Sequence, residues 1–160
     1  MFKKGSSSND SWLDLNKFKK VIMFTPLISI DFLIRNENGE YLLGLRTNRP
    51  AQGFWFVPGG RVFKNEPLDV AFKRLTREEL GVELERSQAD FKGLYEHFYY
   101  DSMFSKNIST HYIVLAYEVE VTQKKILLNE QQHSQCKWVK NENFHTLKIH
   151  AYTLDYFRRV

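Results

Sequence analysis

The chain has 160 residues, 42% of them hydrophobic, 15% aromatic and 26% charged, with a net charge of +4. That describes one domain with enough apolar material for a real core, and it excludes collagen-like, low-complexity and disulfide-stapled classes. Cys136 is the single cysteine, so no internal bridge forms and nothing asks for an oxidising compartment.

Residues 1–11 read as a flexible, Ser-rich leader, followed by a single domain over 12–160. The leader lacks the apolar segment of a secretion signal. Five lysines against two aspartates in the first 20 residues hold most of the positive excess, a weak case for nucleic acid, which needs a clustered basic face. A short helix is expected from Trp12 to Val21, capped by Asp10 or Ser11. The longest apolar stretch, residues 21–34, is broken by Pro26 and Asp31 and is too short and too polar to span a membrane. These features predict a soluble, cytoplasmic protein with no membrane partner.

Within that stretch Ile28, Ile30, Phe32 and Ile34 alternate as in a strand, with Asp31 facing away from the most apolar side. Asn36-Glu37-Asn38-Gly39 is turn chemistry, and Tyr41–Arg46 reads as the returning strand. A loop with Pro50 and Gly53 precedes a short strand over Phe54–Val57. Pro58-Gly59-Gly60-Arg61 then forms a loop, and Pro67 suits the first turn of a helix that runs to Leu80 and stops at Gly81. Strands are expected over Phe91–Tyr100 and Thr110–Val121, with weaker ones at Ile126–Leu128 and Lys137–Val139. An amphipathic helix over Ile149–Arg159 closes the chain. Many strands and few helices, without regular alternation, favour an α+β class: a mixed sheet with helices packed on it.

The 68–80 helix carries the candidate chemistry. Leu68, Phe72 and Leu75 form an apolar stripe, and Glu79 continues it. A carboxylate on such a stripe is costly unless it is paired or holds a cation. Arg74 and Glu78, four apart, are a natural ion pair. By itself the helix reads first as one with an ordinary solvated, charged end. The preceding glycines change this, because they allow close approach of backbone to a ligand. A carbonyl exposed there is a hard oxygen donor suited to Mg²⁺ beside a carboxylate and phosphate. Arg61 offers a forked donor to phosphate.

The segment GRVFKNEPLDVAFKRLTREELGV resembles the Nudix box, G-x5-E-x7-R-E-U-x-E-E-x-G-U, where U is bulky and apolar. Gly60, Glu66, Arg74, Glu78, Glu79, Gly81 and Val82 fall on its positions. Leu75 replaces a glutamate of the box, and Thr76 replaces an apolar residue. With TPLISIDF, NRPAQGFWFVPGGR, HFYYD, THYIVL and EQQH, the chain resembles a divergent Nudix branch, the GDP-mannose mannosyl hydrolases. The resemblance implies a Nudix-type mixed β-sheet sandwiched between helices. It also implies attack on the anomeric carbon of a nucleotide sugar, releasing GDP and free sugar with inversion.

The site residues follow from the same resemblance. His133 is the water-activating base; from the residues alone it is a loop histidine, one of five in the chain. Gln132, Glu79 and the Gly59 carbonyl hold Mg²⁺, with Mn²⁺ an alternative. Arg46 and Arg61 bind the diphosphate, and Tyr112 donates to a departing phosphate oxygen. Arg74 orients Glu79 or Glu78 from behind. Asp31 holds the sugar or Arg46. Trp12, Leu13 and Phe18 contact the guanosine half and belong to a dimer-forming segment, so a homodimer is expected. His97 and Tyr99-Tyr100-Asp101 match a strand end near the sugar without an assignable role. Two rival readings stay open: an ordinary Nudix diphosphohydrolase that uses Glu78 and Glu79, and a non-catalytic nucleotide- or RNA-binding module.

Overall fold

A computed structural model describes residues 13–123, 126 and 133–158, with 133 and 134 described by their strand placement alone. Asp14 caps the first helix, α1 (Leu15–Phe24), by accepting a hydrogen bond of 2.9 Å from the Lys17 amide. The helix therefore begins later than the expected Trp12 start. Asp10 and Ser11, the expected caps, lie outside the described residues. Thr25, in extended backbone before Pro26, ends the helix.

The chain then runs β1 (Leu27–Asn36), β2 (Tyr41–Arg46), β3 (Trp55–Phe56), β4 (Gly59–Arg61), α2 (Leu68–Leu80), β5 (Asp90–Tyr99), β6 (Thr110–Val121), β7 (His133–Val139) and α3 (Ala151–Asp155). Short 3-10 helices lie at Arg86–Gln88 and Asn141–Thr146. Among the described residues the strands form one mixed sheet in the order β3-β2-β1-β6-β5. β1 runs parallel to β6 from the Leu27–Tyr112 pair to the Asn36–Val121 pair, and the other pairings are antiparallel. On its other edge β1 meets β2 only at Arg35–Tyr41, which leaves Ser29–Asp31 free to pair with β4.

Both faces of β1 are buried, rather than one apolar and one polar. Ile30, Phe32 and Ile34 pack with Ala71, Phe72, Leu75 and Leu80 of α2. Leu33 faces the opposite side, with Trp55, Phe56, Phe144, Ile149 and Tyr156. A central strand covered on both faces needs a continuous apolar run, and residues 27–34 supply one with Asp31 as its charged member. A third cluster seats α1 through Phe18 and Ile22 against Leu27, with Leu13 and Tyr112 at its margin.

Four expectations need correction. Pro58–Arg61 is not a free loop, because Gly59–Arg61 is a strand edge on β1. Ile126 lies outside any strand, packed on the α2-side core; residues 127 and 128 are outside the described residues. The last strand starts at His133, since Arg46 of β2 has a free edge there to pair with it. The C-terminal helix is only Ala151–Asp155, continued by a turn over Tyr156 and Phe157.

Candidate active site

The site is built where β4 is squeezed between β1 and α2. A Cβ on Gly59 would lie 2.5 Å from the Ile30 carbonyl and 2.6 Å from Asp31 Oδ1. One on Gly60 would lie 2.4 Å from a Leu75 methyl. Glycine is needed here because the strand approaches β1 and α2 this closely, beyond the approach to a ligand expected from the sequence. The strand is thereby pressed onto the helix that carries the acids.

On α2, Leu75 and Glu79 share the inward face and both are buried. Arg74 pairs with Glu78, one of the two acids expected of it, and reaches further. It forks onto Glu66, Nε to Oε1 at 2.6 Å and Nη2 to Oε2 at 2.8 Å. It also donates to Glu78 at 3.0 Å and to the Arg61 carbonyl at 2.9 Å, with its guanidinium 4.0 Å from the Phe63 ring centre. Burial pushes the Glu66 carboxyl up, but the Arg74 bonds and the Phe63 amide more than offset this, leaving it below the ordinary range. Glu66 was matched by its place in the box without a role. Its role is to anchor Arg74, which ties the β4–α2 connection together.

In front of this brace lies a cleft of about 250 Å³. Asp31, Arg46, Gly59, Arg61, Arg74, Glu79, Phe18 and Tyr112 all line it, as do Glu78 and Leu75. Residues picked on spacing and resemblance are thus brought together from α1, β1, β2, β4, α2 and β6. Arg46 is held by a 2.9 Å bond from Nε to the Pro50 carbonyl, over the Phe56 ring. Arg61 stands 4.1 Å from the centre of the Phe18 ring, so the residues expected to meet a phosphate and a base are adjacent. Leu13 packs behind Phe18 in the α1 cluster and does not line the cleft. Trp12, Gln132 and the side chain of His133 lie outside the described residues.

The cleft also contains groups to which the sequence reading gave no role. His97 and Tyr99 line it from β5, whereas Tyr100 is 94% exposed and points away. The Tyr156 hydroxyl donates to Asp31 Oδ2 at 2.6 Å and lies 3.2 Å from His97 Nε2. The one hydroxyl hydrogen goes to Asp31, so the His97 Nε2 is the donor in that second contact. The His97 ring stacks on Tyr152 at 4.2 Å and 4°. Burial pushes Asp31 up to about 6, opposed by the Tyr156 bond and Arg46, with Glu79 adding to the rise. Burial, assisted by His150, lowers His97 to about 4, so it is neutral at pH 7. A period of two placed His97 and Tyr99 on one face of β5, and spacing of four placed Tyr152 and Tyr156 on one side of the last helix. Those were the legible signals.

Among the described residues, no three His, Cys, Asp or Glu side chains come together as a ready-made metal cluster. The donor chemistry still fits Mg²⁺ or Mn²⁺, because that ion takes one or two carboxylates and completes its shell with water and substrate phosphate. Glu79, buried at the cleft beside Glu78, provides such a carboxylate.

Residues 25–159 match the NUDIX domain family model. Over 122 residues, 76% of each chain, the protein is 43% identical to the low-salt glycan biosynthesis protein Agl8 of Haloferax volcanii. It resembles the MutT protein of Methanosarcina mazei Go1 at 28% identity and a TM-score of 0.66, over 82% of this chain and 91% of that one. A MutT NUDIX hydrolase from Burkholderia pseudomallei shares the fold at 24% identity and a TM-score of 0.69, over 85% of this chain and 98% of that one. The chain belongs to the Nudix family. It is a hydrolase of that family, and among the described residues no helix is long and apolar enough to cross a membrane.

Proposed function

We propose that this enzyme hydrolyses GDP-mannose, and GDP-glucose with it, to GDP and free sugar in a reaction dependent on Mg²⁺ or Mn²⁺. The supporting observation is Leu75. It occupies the position of a box glutamate, is buried in the α2-side core and fills the space next to Gly60. A site lacking that acid is poorly equipped to activate water against phosphorus and better suited to attack at carbon. The printed name of the 43% identical relative, a glycan biosynthesis protein, agrees with a sugar substrate.

In this reading Phe18 and Trp12 hold the guanosine, worth about 1–3 kcal/mol per stacked aromatic, with Leu13 packed behind Phe18. Arg46 and Arg61 grip the diphosphate. Asp31 accepts from the sugar or from Arg46. His133 takes a proton from water as its oxygen bonds to the anomeric carbon. The bond from that carbon to the β-phosphate oxygen breaks, and Tyr112 donates to the departing phosphate. Glu79, Gln132 and the Gly59 carbonyl would hold the metal, which would supply charge neutralisation for the leaving GDP. Exposed Leu94 and Phe98 on edge strand β5 support a homodimer, and the location proposed is the cytoplasm. Glu78 and Glu79 both face the cleft, which favours a second reading, P–O–P cleavage to GMP and sugar phosphate.

Turnover in ¹⁸O-water separates the two. Label in free mannose supports carbon attack; label in GMP or sugar phosphate overturns it. His133→Gln is expected to lower kcat by about 10²–10⁴ with GDP affinity retained. Wild-type activity of that variant from pH 6 to 9 would remove His133 as the base.

A further inference from the structure

We infer that Tyr156 is a positioning residue of this active site, acting through Asp31 from beneath the cleft. Tyr156 is buried and is not among the residues lining the cleft. Its hydroxyl nevertheless ends 2.6 Å from Asp31 Oδ2. The other carboxylate oxygen, Oδ1, lies where a Cβ of Gly59 would meet it at 2.6 Å, on the cleft side of β1. One oxygen is thus satisfied from below, and the other is left as the acceptor that the cleft presents. A buried carboxylate without such a partner has two oxygens to satisfy and no fixed plane.

The support is built into the C-terminal segment. Tyr152, one helical turn before Tyr156, uses its hydroxyl as a substitute strand partner for edge strand β5. It accepts from the Phe98 amide at 2.9 Å and donates to the Phe98 carbonyl at 2.8 Å. Its ring carries the stacked His97, whose Nε2 meets the Tyr156 hydroxyl at 3.2 Å. Tyr152 thereby fixes β5 and His97, and His97 together with Asp31 fixes the Tyr156 hydroxyl. The last helix holds the floor of the site without entering it.

This rests on the reading of Asp31 as an acceptor in the proposed reaction. The test is a cycle of Tyr156→Phe, Asp31→Asn and the double variant, assayed with GDP-mannose and Mg²⁺, with GDP binding measured by calorimetry. Tyr156→Phe is expected to lower kcat/KM about tenfold while GDP affinity stays within about threefold. In the Asp31→Asn background the same change is expected to have no further effect, because a residue acting through another loses its influence when that other is gone. An unchanged kcat/KM for Tyr156→Phe, or an equal loss in both backgrounds, would overturn the inference. A wild-type enzyme that leaves GDP-mannose intact sinks the proposed reaction instead. For that case, or if Tyr156→Phe folds poorly, ¹³Cζ-tyrosine NMR of wild type and Asp31→Asn reads the link without catalysis. A Tyr156 resonance that moves on the Asp31 change supports the link, and one that stays put overturns it.

Discussion

Thr76 shows how a departure from a pattern is satisfied locally. It sits at an apolar position of the box and is fully buried. Its hydroxyl donates to the Lys73 carbonyl at 3.1 Å and accepts from the Leu84 amide at 3.0 Å. The threonine therefore closes the turn after α2, a task no aliphatic side chain performs. Thr76→Val restores the box residue, yet it leaves the Leu84 amide without its acceptor. We expect a loss of about 1–3 kcal/mol, read as a fall in Tm by thermal unfolding. The sequence marked position 76 as an exception but did not reveal the Leu84 partner, eight residues away and beyond the helix. Arg74 carries the same lesson. Its spacing to Glu78 was legible because four residues span one helical turn, whereas the stronger fork onto Glu66 depends on how the 62–67 connection folds back.

Among the elements, β4 diverges most from its sequence reading. Pro-Gly-Gly suggests a turn, but Gly59–Arg61 is an extended strand whose glycines make room for neighbours. The neighbours differ in kind, and that sets a ranking. An alanine at 59 collides with the Ile30 carbonyl, part of a central strand that cannot move aside. An alanine at 60 meets the end of the Leu75 side chain, which has rotamers to use. Gly60→Ala is expected to cost about 1–3 kcal/mol, and Gly59→Ala more. Urea unfolding of the two variants checks the order, and a Gly60 variant less stable than the Gly59 variant would contradict it. By contrast, β2 and β6 were legible to the residue, because each is bounded by turn or loop chemistry and alternates or runs apolar between those bounds. α1 was displaced because Asp10, Ser11 and Asp14 are all competent caps by composition. The bond to the Lys17 amide identifies Asp14 as the cap.

Across the whole molecule, the two titrating groups under the cleft oppose one another. His97 is held near 4 against an ordinary 6.5. The unfolded chain therefore takes up its proton first, and this group withdraws stability as pH falls from 6.5 towards 4. Asp31 is held near 6 against an ordinary 3.8, so the folded state binds its proton first and gains stability as pH falls from 6 to 3.8. The gradients largely cancel in the wild type. Asp31→Asn removes one of them. In metal-free buffer its Tm is expected to fall between pH 6.5 and 4.5 by about 3–6 °C more than that of the wild type. Parallel Tm profiles for the two proteins would show that His97 is not kept neutral by the fold.

The sequence by itself determined the repeating parts: the apolar stripe of α2 with Glu79 on it, the strands Tyr41–Arg46 and Thr110–Val121, and the spacing from Gly60 to Val82. Those follow from turn and pleat periods that act between near neighbours. Tertiary structure alone decided that β1 is covered on both faces and that Glu66 is the anchor of Arg74. It also decided that a tyrosine 125 residues from Asp31 donates to one of its carboxylate oxygens. Buried polar groups take whichever partner packing brings within reach, and that choice is made by the sheet order and not by spacing along the chain.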